Sequence, residues 1–161
     1  MVENGIILID KPANMSSFGV VARVRRQLTQ HFGRKKMKVG HTGTLDPFAT
    51  GLMILVVGKE CKNADKYSKL DKTYEATIVL GKTSTTGDPE GDITQVSDKK
   101  VAQAEIEKAI EQFRGAIMQT PPAFSAIKIN GQRAYKLARA GKTVDIPERQ
   151  VTIHSLEIIN Y

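Results

Sequence analysis

The spacing of apolar and polar residues changes along the chain, and each change marks a predicted element. GIILID (5–10) is a continuous apolar run stopped by Lys11-Pro12, the pattern of a short buried strand. Over 16–33 the spacing becomes helical. Ser17, Val21, Val24 and Leu28 share one face, while Arg23, Arg26 and Gln30 fall elsewhere; Ser16 or Ser17 can cap this helix and Gly33 can end it. LMILVV (52–57) is apolar throughout, as a central strand would be. KECKNADKYSKL predicts a short helix, and KTYEATIVLG (72–81) alternates as a strand does, with Tyr74, Ala76, Ile78 and Leu80 on one face.

Farther along, TSTTGDPEGD predicts turns and ITQV a strand, and VAQAEIEKAIEQFRG (101–115) predicts an amphipathic helix closed by glycine. QTPPAFSA cannot be regular, and IKINGQ carries the Asn-Gly signature of a tight hairpin. QRAYKLARAG predicts a short basic helix and QVTIHSLEIINY a final strand. Strands and helices mix without strict βαβ alternation. This predicts an α+β fold with a central mixed or antiparallel sheet and helices packed on it. The chain's 161 residues fit one domain, with no internal repeat or linker.

Charge changes the picture. Lysine and arginine number 24 against 17 acids, a balance that favours an anionic partner, nucleic acid above all. No acid falls between Asp10 and Asp46, where Lys11, Arg23, Arg25, Arg26, Arg34, Lys35, Lys36 and Lys38 lie. A second acid-free stretch between Glu111 and Asp145 carries Arg114, Lys128, Arg133, Lys136, Arg139 and Lys142. Long stretches of one sign suggest surfaces that face phosphates. The single cysteine excludes an internal disulfide and a thiolate metal cage, and the apolar run at the N-terminus is too short for a signal peptide or membrane span. A cytoplasmic location, with no membrane partner, is the expectation.

The candidate chemistry lies in GHTGTLDPFATG (40–51), which holds one carboxylate, Asp46, followed at once by Pro47. Three glycines permit unusual backbone angles, and the proline restricts the aspartate to extended conformations. The loop should present Asp46 in a defined way; the alternative is a turn aspartate bonded to backbone. Metal chemistry fits poorly, because His41 and Asp46 are five residues apart in an irregular loop and no HxxxH or acidic cluster exists. A phosphate-cradling GxxxxGK[ST] loop is also absent: Gly81-Lys82-Thr83 lacks the earlier glycine, with Ala76 in its place.

GHTGTLDPFATG resembles the signature of the TruB-type tRNA pseudouridine-55 synthases, and three further segments resemble family motifs in the same order. They are IDKPANMSSFGVV, DKTYEATIVLGKTSTTGDPEG and QTPPAFSAIKINGQRAYKLARAG, the last resembling the RNA-binding insertion known as the thumb. The loop's details look like the bacterial enzymes more than their RNA-guided relatives.

The resemblance implies a pseudouridine synthase-like fold and an isomerase with the T-arm of tRNA as its partner. It calls for no metal, no cofactor and no obligatory protein partner. It implies that Asp46 is the catalytic aspartate, that Tyr74 stacks on the target base, and that His41 accompanies the nucleotide out of the T-loop. Asp88 would bind a neighbouring nucleotide or backbone group, or simply hold its own turn. Lys11-Pro12 would support the site. Lys11, Arg34, Lys35, Lys36, Lys128, Arg133 and Arg139 are the cations expected on RNA, with the thumb-like insertion at about 120–147.

One departure matters. The family continues into a stretch resembling Ser-Gly-Thr-Tyr-Ile-Arg-Ser, which supplies an arginine partner for the aspartate and part of the uracil pocket, and often into a small RNA-binding tail. Neither is in this sequence, so residues 1–161 are expected to be a partial catalytic domain. Such a chain should be weakly active or inactive, should keep RNA binding, and should expose apolar surface that invites self-association. The alternatives are a non-catalytic tRNA-binding or folding module and an RNA-guided pseudouridylase subunit.

Overall fold

A computed structural model describes residues 2–124, 127–129, 131–141, 143 and 145–161. The chain divides into two units, one ending at Thr77 and the other beginning at Ile78.

The first unit is built on three antiparallel strands in the order β1-β3-β2: β1 (Gly5–Lys11), β2 (Val39–His41) and β3 (Gly51–Val57). The apolar run of β3 is central, as its composition requires. Its register sets Lys11 opposite Gly51 at one end and Gly5 and Val39 opposite Val57 at the other. Helix α1 (Ser17–His31) covers one face. It starts because the Ser16 hydroxyl accepts the Gly19 N–H at 3.0 Å. It ends where Gly33 turns left-handed, φ 60°, and the Arg34 N–H reaches back to the Thr29 carbonyl.

Val20, Val21 and Leu28 of α1 pack with Met37, Val39, Met53, Leu55 and Val57 in the core of this unit. The opposite face of the sheet leaves Ile6, Leu8 and Leu52 exposed. After β3 a 3₁₀ turn (Gly58–Asn63) runs into α2 (Ala64–Ser68). The two are joined by the Tyr67 hydroxyl, which donates to the Glu60 carboxylate at 2.8 Å. That bond raises the tyrosine pKa. Together with the Asn63 amide it lowers that of Glu60.

In the second unit β4 (Lys82–Ser84) pairs with β5 (Ile93–Gln95) around the predicted turn, and α3 (Gln103–Ile110) continues into a 3₁₀ turn (Glu111–Phe113). Strand β6 (Gly115–Gln119) pairs antiparallel with β9 (Arg149–Ile153), so the chain between them leaves and returns at one place. Two polar bonds close that base: Thr120 donates to Glu148 at 3.1 Å, and Arg149 donates to the Gln119 side chain at 3.0 Å. Within the excursion, β7 (Lys128–Ile129) and β8 (Gln132–Arg133) form the expected hairpin, with Gly131 at φ 81°, and α4 (Ala134–Arg139) follows.

The class is α+β, but among the described residues the single central sheet expected from the sequence is replaced by four small antiparallel sheets, one of three strands and three of two. The expected strand at 72–81 does not form. Residues 72–80 are exposed and irregular, because an alternating pattern makes a strand only where another edge accepts its backbone bonds, and none of the described strands pairs with it. Strand β6 is unpredicted: its paired residues lie 30 to 38 positions away, so no local pattern announces it. The final strand stops at Ile153 rather than running on to Tyr161.

Candidate active site

Asp46 lies in the loop joining β2 to β3, at the end of the sheet where Lys11 faces Gly51. The residue before it is held twice by one side chain. The Ser17 hydroxyl donates to the Leu45 carbonyl at 2.8 Å and accepts the Leu45 N–H at 2.9 Å, from a position 4% exposed at the start of α1. The residue after it is held by two donors. The Pro47 carbonyl accepts the Asn14 N–H at 2.8 Å and the Lys11 ammonium at 3.2 Å.

Lys11 is 0% exposed, and its ammonium also donates to the carbonyls of Pro12 at 2.9 Å and Met15 at 2.8 Å. All three of its protons are thereby used. Asn14, at φ 62°, turns the chain that closes this knot. The loop is pinned on both sides of Asp46, whose side chain is exposed and, among the described residues, makes no hydrogen bond or ion pair. A carboxylate so placed keeps all its acceptor capacity for whatever approaches from solvent.

His41 ends β2 on the same loop. Its Nδ1 lies 2.8 Å from the Gly43 carbonyl, which can only accept, so Nδ1 carries a proton, and in the neutral ring Nε2 is the acceptor. Thr42 donates its N–H and hydroxyl to the Ile54 carbonyl, which anchors the loop's first turn to β3.

The other expected residues are not gathered here. Tyr74 is 68% exposed on the irregular stretch after α2, and among the described residues no hydrogen bond or ring contact joins it to His41 or Asp46. Asp88, in the second unit, accepts the Thr86 hydroxyl at 2.6 Å and the Glu90 N–H at 2.9 Å through one carboxylate oxygen, which is the turn-holding role. Lys11 requires a correction. It was expected on RNA, but it is enclosed and saturated by carbonyls, so it supports the loop and cannot touch a phosphate.

Arg34, Lys35 and Lys36 are exposed, yet they follow the C-terminus of α1, whereas Ser17 at its N-terminus sits on the Asp46 loop. The side chains of Lys128, Arg133 and Arg139 lie outside the described residues. Two supports were missed from sequence, Ser17 and Asn14. A serine in line with Val21, Val24 and Leu28 on an apolar helix face was the available signal for the first; nothing local marks the second. Among the described residues no cluster of metal-ligating side chains occurs, and no helix is long and apolar enough to cross a membrane.

Asp46 is thus an exposed carboxylate on a loop held at both neighbouring residues, on a small α+β scaffold. Residues 27–161 match the family described as TruB family pseudouridylate synthase, N-terminal domain, and the chain belongs to that family. It is 46% identical over 159 residues to a protein of Mycobacterium sp. (strain KMS) named tRNA pseudouridine synthase B, covering 98% of this chain and 52% of that protein. Proteins of the same name are similar in Geobacillus thermodenitrificans (strain NG80-2), 44% identical with 98% and 51% covered, and in Aquifex aeolicus (strain VF5), 40% identical with 98% and 53% covered. The chain thus spans about half the length of these relatives. Its backbone is similar to a chain in the crystal structure of a Cbf5-Nop10-Gar1 complex, with TM-score 0.55 and 21% identity, covering 97% of this chain and 36% of that one; this shows the fold.

Proposed function

We propose that this chain carries the aspartate-bearing part of a catalytic domain that isomerises uridine to pseudouridine at position 55 in the T-loop of tRNA. The observation that carries the reading is the free Asp46 carboxylate held between two pinned residues. Breaking the N1–C1′ bond of uridine leaves positive character on the sugar and an electron pair on the base, and an ionised carboxylate stabilises or captures the former. The uracil turns, C5 bonds to C1′, the proton on C5 leaves, and N1, which has lost its bond to the sugar, takes up a proton. No water is consumed and no group is lost, so the second carboxylate of a glycosidase is unnecessary. The rearrangement is redox-neutral and calls on no cofactor.

In this reading the exposed Tyr74 ring is available to stack on the flipped base. His41 offers Nε2 to the departing nucleotide, and the insertion at about 120–147 grips the T-arm as a thumb. The chain by itself is weakly active or inactive, since among the described residues no cation pairs with Asp46 to poise it.

The test is tritium release from T-arm RNA labelled at C5 of uridine, with protein in excess over long times. Slow release by the chain, abolished in Asp46→Asn with RNA affinity unchanged, is the expected result. Tight binding without release means that the chain on its own binds RNA and is inactive, and Asp46→Asn then leaves its behaviour unchanged. Release that requires a guide RNA or accessory protein places it among RNA-guided subunits. Equal release by Asp46→Asn overturns the role of the aspartate.

A further inference from the structure

At the end of the sheet away from Asp46, five cations line one open cavity of about 500 Å³: Arg34, Lys36, Lys38, Lys59 and Lys62. Glu3 is the acid at its rim, and it is taken by an ion pair with Arg34. Glu60, between Lys59 and Cys61 in sequence, is occupied by Tyr67 and Asn63. Among the described residues Lys36, Lys38, Lys59 and Lys62 have no acidic partner. A second cavity of about 330 Å³ shares Lys36 and Lys38 and adds Arg25.

The lysines come from separate segments, and main-chain bonds lock these together. The Gly58 N–H donates to the Lys38 carbonyl at 2.8 Å, the Lys59 N–H to the Asn4 side chain at 2.8 Å, and the Met37 N–H to the Thr29 hydroxyl at 3.1 Å. The anchor points are therefore fixed before any ligand arrives, while the ammonium groups stay free. Like charges gathered on a fixed frame repel one another until an anion enters. Cations spread along two joined cavities suit a chain of phosphates better than one small anion.

The groove is distant from the catalytic loop. From Gly51, beside that loop, to Val57, beside the groove, β3 spans six residue steps, roughly 20 Å at about 3.4 Å each. The 15 residues of α1 separate Ser17 from the Arg34 end by a similar length, roughly 22 Å at about 1.5 Å each.

Resting on the reading of RNA as substrate, we propose that this groove is a second RNA contact, which holds the phosphodiester backbone of a stem remote from the uridine that reaches Asp46. The stem of a five-base-pair hairpin covers roughly 17 Å of axis at about 3.4 Å per pair, so at most its end meets the near edge of the groove. Whole tRNA is long enough to reach it.

The experiment compares the chain with Lys36→Gln/Lys59→Gln/Lys62→Gln, each titrated with whole tRNA and with a five-base-pair T-arm hairpin over a range of salt. The substituted lysines are exposed, so the melting temperature checks that the fold is kept; Lys59→Gln/Lys62→Gln serves if the triple variant fails that check. For whole tRNA the expected result is about a tenfold or greater loss of affinity near 0.1 M salt. The slope of log affinity against log salt should also become shallower by about 2 to 3, since each neutralised phosphate contributes about 0.9. Hairpin affinity should stay within about twofold.

An unchanged slope with whole tRNA overturns the proposal, and so does an equal loss with the hairpin, which would move the lysines to the loop site. Competition by polyglutamate as effective as tRNA at equal charge would make the groove a site for acidic peptide instead. Failure of catalysis is read separately, by tritium release from wild type and Asp46→Asn, and leaves the groove result standing.

Discussion

At the scale of the residue, the aspartate's usefulness depends on neighbours that do no chemistry. Ser17 closes two hydrogen bonds to one residue, and Lys11 spends three protons on three carbonyls. Ser17→Ala leaves the Leu45 N–H and carbonyl without their partner in a nearly closed site. A stability loss of about 1–3 kcal/mol in urea unfolding is expected, with faster hydrogen exchange at the Leu45 amide. Lys11→Arg keeps the charge and should still fail, because a planar guanidinium cannot replace a compact ammonium aimed at three converging carbonyls. A comparable loss of stability, despite the conserved charge, is the expected reading. Both residues show the limit of pattern: the charge of Lys11 pointed to RNA, whereas its burial assigns it to the loop.

At the scale of the element, the turn after β3 decides where the basic groove forms. Gly58 adopts φ 61°, and a Cβ there would meet the Glu3 carbonyl at 2.4 Å and the Asn4 side chain at 2.3 Å. Gly58→Ala is therefore strained both in conformation and in space, since the Glu3 carbonyl is backbone and cannot swing aside as a side chain can. A loss of about 1–3 kcal/mol is expected by thermal or urea unfolding, together with weaker tRNA binding as Lys59 and Lys62 shift. Helix α1 and strands β1 and β3 were legible because each buries one repeating face or a whole apolar run against the same core. The stretch 72–81 carries an equally clear alternation and stays irregular, since a strand is a pair of edges and a sequence pattern describes one.

At the scale of the whole molecule, the open face of the first sheet has a consequence in solution. Leu8 is 59% exposed and Leu52 66%, with Ile6 beside them on that face. Contiguous apolar surface of this kind favours association. Sedimentation equilibrium should show an average mass that rises with protein concentration, and Leu8→Lys/Leu52→Lys should remove that rise while the fold is kept. A mass independent of concentration in the unsubstituted chain would show that this face is tolerated in water.

The order of residues by itself determined the helix caps, the apolar stripes, the Asn-Gly hairpin and the loop that bears Asp46, because each depends on neighbours a few positions apart. It also carried the family resemblance, whose motifs are local. Only the tertiary structure decided that Lys11 faces carbonyls rather than phosphate, that Ser17 and Asn14 brace the aspartate, and that Lys36, Lys38, Lys59 and Lys62 meet in one groove far from it. Those outcomes depend on strand register and on which groups become enclosed, and both are set by contacts between residues distant along the chain.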